Sequence, residues 1–221
     1  MAGMGMRDIK RKIRSVNSTK QITKAMELVS TAKLKRTRDR LEATKPYFET
    51  VKNTVQDILS DSKDLKHEYL KEREIKKSLY IVIAADRGLC GGYNVNAIKK
   101  ALEDIESKEK AVIIAIGQKS RDYFKKRGYK VAHEFMHISE KPEYKHARNI
   151  AKLALDLYKE EKIDEVKLVY TKFVSTISQE PQIIKLLPVS KEDNKDEKKE
   201  FKYVSYEPSP EVVLNYLVTK Y

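Results

Sequence analysis

Two contrasting stretches of sequence predict an α/β fold in which a long N-terminal coiled-coil helix precedes a Rossmann-like, mostly parallel sheet domain. The first runs from Arg7 to about Ser60 and contains no glycine and a single proline, Pro46. The second begins near residue 78 and alternates short apolar runs with helical ones, the pattern of strands joined by crossover helices. Size agrees: 221 residues with 40% hydrophobic content suit one ordinary domain plus an appendage.

The first stretch reads as a helix by its apolar spacing. Ile9, Ile13 and Val16 are four and three apart, Ile22, Met26 and Val29 repeat that spacing, and Phe48, Val51, Val55 and Ile58 continue it. This is a narrow coiled-coil seam with a slip between Val16 and Ile22. The backbone rules permit one very long helix or two helices meeting at Pro46. In the middle, KLKRTRDRL contributes only Leu34 and Leu41 to the seam. A helix of this length would run about 80 Å at roughly 1.5 Å per residue, and its stripe needs a partner helix. No later segment of the sequence matches it, so if the 221 residues are the whole protein the seam at Ile13, Met26, Val29, Val51 and Val55 is expected to be exposed and to drive self-association or leave the helix partly disordered.

The second stretch supplies the sheet. Leu79 to Ala85 and Ala111 to Gly117 are continuous apolar runs, as strands buried on both faces require. Further strands are expected at Lys130 to Phe135 and Val166 to Phe173. Helices are expected at about Asn94 to Ser107, Gln118 to Arg127 and Glu143 to Glu160, the last with Ile150, Leu153, Ala154 and Leu157 on one face. Four strands with helices between them imply parallel pairing. Gln182 to Val189 and Phe201 to Tyr206 read as a strand pair around the charged loop KEDNKDEKKE, and a final helix begins after Pro210.

Charge narrows the function. The net charge is +13, and residues 1 to 60 hold 14 basic and 6 acidic side chains, or +8, so that segment calls for an acidic partner. Nucleic acid, an anionic membrane surface and an acidic protein all qualify. KLKRTRDR could contact phosphates, but the tyrosine-rich aromatics are not interleaved with it and no DNA-reading module accompanies it. The thin seam also lacks the broad apolar face of a membrane-surface helix. No run approaches 18 apolar residues, and MAGMG has no signal-peptide core. The chain therefore reads as soluble or peripheral.

Chemistry-bearing motifs are few. DRGLCGGYN, Asp86 to Asn94, lies between a strand and a helix, where backbone amides can hold phosphate. Its spacing is neither GxGxxG nor GxxxxGK[ST], and a structural tight turn is the stronger reading. The single cysteine, Cys90, excludes an internal disulfide and reads as a small buried side chain rather than a thiol activated by Arg87. His133 and His137 are four apart in a strand-to-loop segment, which does not bring metal ligands together as a helix would.

Four longer segments carry a resemblance. DIKRKIRSVNSTKQITKAMELVSTAKLKR (Asp8 to Arg36), DRGLCGGYN, FVSTISQEPQIIKLLP (Phe173 to Pro188) and YVSYEPSPEVVLNYL (Tyr203 to Leu217) resemble, in order, the signatures of the F-type ATP synthase gamma-subunit family. The resemblance implies a central-stalk rotor. Its N-terminal shaft helix, residues 7–60, would be half of an antiparallel coiled coil inside the alpha and beta subunits. The α/β domain, 78–208, would lie below it, and 210–221 would start a C-terminal helix whose continuation is expected beyond Tyr221. It implies coupling of membrane c-ring rotation to ATP synthesis or hydrolysis in the beta subunits, with no catalytic residue, cofactor or metal in this chain. It places ring contacts at Lys20, Lys24, Met26, Lys33 and Arg36, and epsilon-subunit and c-ring foot contacts at Tyr206 and Glu207. It also implies a peripheral position on the cytoplasmic face of the bacterial inner membrane. The chloroplast relatives' regulatory cysteine pair has no counterpart beside Cys90.

Overall fold

The computed structural model describes residues 5–61, 67–139, 141–190 and 206–218. The chain divides into two units, Met1–Thr54 and Val55–Tyr221.

Helix α1, Met6–Asp61, is 56 residues long and runs through Pro46 without a break. The proline removes one backbone donor and leaves the Glu42 carbonyl without its helical partner. Water can satisfy that carbonyl, since every described residue from 5 to 50 is exposed. Every threonine of α1 returns its hydroxyl to the carbonyl four residues earlier, from Thr19 to Ser15 at 3.0 Å through Thr54 to Thr50 at 2.8 Å. That bonding keeps β-branched polar residues compatible with a helix. The slip in the seam has a geometric consequence. At 100° per residue, Ile9, Ile13 and Val16 point roughly 140° away from Ile22, Met26 and Val29, so the apolar residues form two faces rather than one. Both faces are exposed, with Ile13 and Val29 more than half accessible. Val51 and Val55, expected to be exposed, are buried instead.

In unit 2 the strands are β1 (Ser78–Ile83), β2 (Ala111–Ile116), β3 (Lys130–Phe135), β4 (Glu165–Phe173) and β5 (Gln179–Leu187). Their order in the sheet is β3-β2-β1-β4-β5, parallel except for β5, which runs antiparallel to β4. The central strands SLYIVI and AVIIAI are buried almost throughout, which is why they read as uninterrupted apolar runs. Their alternate residues face opposite layers. Leu79, Ile81, Val112 and Ile114 meet helix α4 (Tyr144–Lys159) and helix α5 (Pro210–Val218). Tyr80, Val82, Ile113 and Ala115 meet helices α2 (Tyr93–Asp104) and α3 (Gln118–Lys126). Helices cover both faces because the strand order reverses at β1, and right-handed crossovers then fall on opposite sides.

Two expectations change in detail. Helix α2 ends at Asp104, not Ser107, and the Ile105 amide closes its last turn on the Ala101 carbonyl at 3.1 Å. Residues 182–187 form a hairpin with β4 through the turn at Val174 to Ser178, where the Val174 and Ser175 amides both reach the Ser178 carbonyl. Residues 201–205 of the expected partner strand, and the charged loop 191–200, lie outside the described residues.

Candidate functional site

Among the residues singled out on α1, Lys20 and Lys24 are one turn apart and share a face, whereas Met26, Lys33 and Arg36 lie on the other side of the helix. All five are exposed. Lys24 reaches Glu27 at 3.1 Å, but both side chains are largely in water, and such a pair holds the lysine only loosely. The cationic surface is therefore available to an acidic partner. Tyr206 and Glu207 belong to unit 2. Tyr206 is half-buried against the apolar cluster that includes Leu214 and Val218, and Glu207 is exposed next to a cis peptide to Pro208.

The DRGLCGGYN turn sits at the C-terminal edge of the parallel strands, where α/β proteins commonly bind ligands. Its polar groups are already committed. The Asp86 carboxylate accepts from the Gln118 amide at 3.1 Å, the His137 amide at 3.2 Å and the Ser139 hydroxyl at 2.7 Å. It thereby occupies the N-terminus of α3, the position an anion would take. Burial pushes this carboxyl upward, but donation from Ser139, His137 and Gln118 outweighs it and holds the group below the usual carboxylate range. Asn94 accepts from the Ala85 amide at 2.8 Å and donates to the Arg87 carbonyl at 3.2 Å, tying the turn to α2. Gly117 allows the close packing beneath: its φ is +87°, and a Cβ there would lie 2.1 Å from the Ala84 carbonyl oxygen. β4 continues into an antiparallel hairpin, not into a crossover helix of the kind that flanks the nucleotide crevice of doubly wound sheets. The geometry is that of a braced turn presenting Leu89, which is 94% exposed. Cys90 is exposed, not buried, and its sulfur accepts from Asn94 at 3.0 Å.

At the opposite edge of the sheet a polar network surrounds a cavity of about 220 Å³. Lys167 bridges Asp104 at 2.7 Å and Glu165 at 2.9 Å, Ser78 donates to Glu165 at 2.6 Å, and Tyr80 donates to Asp104 at 2.8 Å. Burial, then the bond to Asp104, drives the Tyr80 hydroxyl far above its ordinary range. Burial opposes the charge on Lys167, but its two carboxylate partners raise it overall. Each charge thus has a partner, as buried charges require. No group of His, Cys, Asp or Glu side chains suited to a metal occurs among the described residues, and no described helix is long and apolar enough to cross a membrane.

Comparison with known proteins gives this surface its context. A family model described as ATP synthase matches residues 5–221. The ATP synthase gamma chain of Alkaliphilus metalliredigens is 54% identical over 99% of this chain and 77% of its own length. The chain belongs to the ATP synthase gamma-chain family. Another member, the sodium-ion-specific ATP synthase gamma chain of Acetobacterium woodii, is 41% identical over 98% of this chain and 77% of its own. In fold, the chain is similar to one in the central stalk and c-ring structure of the Tetrahymena thermophila mitochondrial ATP synthase. The TM-score is 0.66 at 21% identity, covering 90% of this chain and 87% of that one.

Membership in the gamma-chain family leaves the nucleic-acid reading of KLKRTRDR without support. It also gives the long exposed helix a setting that composition could not. Sequence reasoning missed the Asp86 brace and the Asp104–Lys167–Glu165 network. The bonded partners of the brace are 32 to 53 positions apart and those of the network up to 87, so no local spacing announces either.

Proposed function

We propose that this chain is the central-stalk rotor subunit of an F-type ATP synthase, coupling rotation of a membrane c-ring to ATP synthesis or hydrolysis in the beta subunits. The observation that carries the proposal is 54% identity to a gamma chain over 99% of the sequence. Residues 7–60 act as the shaft helix, 78–208 as the α/β domain and 210–221 as the beginning of a second shaft helix. The chain is noncatalytic and lies peripherally on the cytoplasmic face of a bacterial inner membrane.

The chemistry of coupling is mechanical and electrostatic. A shaft that turns must not bind one setting too tightly, and exposed lysines and arginines suit this because their attraction to acidic side chains is long-ranged and screened by water. Lys20, Lys24, Met26, Lys33 and Arg36 contact the alpha and beta ring, and Tyr206 and Glu207 contact the epsilon subunit and the polar loops of the c-ring. Each setting of an asymmetric shaft stabilises a different conformation in each of three beta subunits, because ring contacts shift a conformational equilibrium only by their differential strength.

The test is reconstitution with alpha and beta subunits followed by ATPase and single-molecule rotation assays. We expect rotation with a version extended beyond Tyr221 by the rest of the second shaft helix, slower rotation when that version carries Lys20→Glu/Lys24→Glu, and no ATP turnover by the chain alone. Failure of both this chain and the extended version to associate with alpha and beta would sink the rotor reading. ATP turnover by the isolated chain that is lost in Asp86→Asn would sink the noncatalytic one.

A further inference from the structure

The last two turns of α1 belong to unit 2 and are held there quite differently from the exposed turns at 5–50. Val55 and Ile58 are 1% and 0% exposed, and Leu59 packs beside them. Around them cluster Tyr69, Val189 and Leu214. Next along the helix, Gln56 is itself buried and donates its Nε2 to the Ser190 carbonyl at 3.2 Å. The stretches that build this socket are fastened to one another. The Val189 amide donates to the Tyr69 carbonyl at 2.7 Å, and the Arg73 guanidinium donates to the Tyr158 carbonyl at 3.1 Å while lying 4.6 Å from the centre of that tyrosine ring.

At 100° per residue, Ile58, Val55, Leu59 and Gln56 cover roughly 160° of the helix circumference. A smooth apolar stripe would let a helix slip about its axis. Here a fully buried branched side chain sits in a close-packed interior, which does not deform continuously, and a directional hydrogen bond holds the flank. We propose that this socket is a torque joint, in which Val55, Gln56 and Ile58 are positioning residues that fix the rotational setting of the end of α1 within unit 2. Turning force applied to the α/β unit then passes into the continuous backbone of α1 instead of being lost by slip. This rests on the rotor reading above.

The experiment is a comparison of ATP hydrolysis and ion pumping in vesicles carrying the complete complex with wild-type chain or one of four variants. Ile58→Ala and Gln56→Ala are expected to keep ATP hydrolysis and lose pumping, so that the ratio of the two falls. Ile58→Val, which keeps the branched shape, is expected to restore the ratio. Ile98→Ala removes the same side chain from the opposite face of the sheet, where Ile98 packs in the cluster of Tyr80 and Val82, and is expected to leave the ratio unchanged. A general loss of stability would lower both activities together and would act from either face. If Ile58→Ala does not assemble, Gln56→Ala decides, because it leaves the apolar core filled. A wild-type ratio in every assembled variant, or an equal fall in Ile98→Ala, overturns the joint. A wild-type chain that supports neither activity overturns the rotor reading instead.

Discussion

Helix α1 between residues 5 and 50 and the central strands β1 and β2 draw on the same apolar side chains and end in opposite environments. Ile9, Ile13, Val16, Ile22 and Val29 are exposed, whereas Ile81, Val82, Ile113 and Ile114 are buried. The difference is dimensional. A strand in the middle of a sheet has neighbours on both sides and a layer on each face, so each side chain is enclosed whichever way it points. A single helix can cover none of its own stripe, and its apolar face awaits another element. Where α1 enters unit 2, Val55 and Ile58 meet such elements and become as buried as the strands.

The largest expected effect tests this contrast directly. Ile114→Ala should destabilise unit 2 by about 2–5 kcal/mol, read from the urea midpoint, while Ile13→Ala should change it by no more than about 0.5 kcal/mol. Equal losses would mean that the exposed stretch packs in solution, and the contrast would fail. An intermediate effect belongs to the Asp86 brace, which has no counterpart on the exposed helix. Asp86→Asn should cost about 1–2 kcal/mol at neutral pH, since it weakens hydrogen bonds to a buried charge. The sign with pH follows from the depressed folded-state pKa. The brace is fully effective above the ordinary aspartate value, near 3.9, and its contribution is lost as pH falls through the lower folded value. Urea titrations of both proteins should therefore differ most near neutrality and converge in acid; a gap that is constant with pH would contradict a charged brace. The smallest effect lies back on α1. Lys24→Ala should leave the thermal midpoint unchanged, because its pair with Glu27 is solvent-exposed; a measurable drop would show that the pair does more for the helix than its exposure allows.

Much of unit 2 was legible because its signals are local. Leu79 to Ala85 and Ala111 to Gly117 could be read as strands because burial on both faces selects an apolar residue at every position. The α4 face carrying Ile150 and Ala154 showed in its helical spacing. The β4–β5 hairpin was harder to see. Nothing in Gln182 to Leu187 says whether its partner precedes or follows it, and the neighbouring β4 decided that. Cys90 shows the same limit on a smaller scale, since its side chain read as small and buried and is instead exposed in a turn with Leu89 and Gly91 at positive φ.

For the candidate contacts, sequence supplied the charges on α1, and the helix periodicity divides them between two faces. The brace at Asp86 and the socket at Gln56 were invisible, because each depends on atoms brought together from 32 to 134 positions away.

By itself the sequence determined that the chain begins with a long, basic, glycine-free helix, continues as alternating strands and helices, and belongs among gamma chains. These are properties of residue order: backbone permission, periodicity and motif succession act over a few turns and can be read one segment at a time. Only the tertiary structure decided that Ile58 is buried and Ile13 is not, that β5 folds back on β4, and that Asp86 caps α3. Each of those outcomes is a packing or hydrogen-bonding choice between distant segments, and its energy exists only once the partners have met.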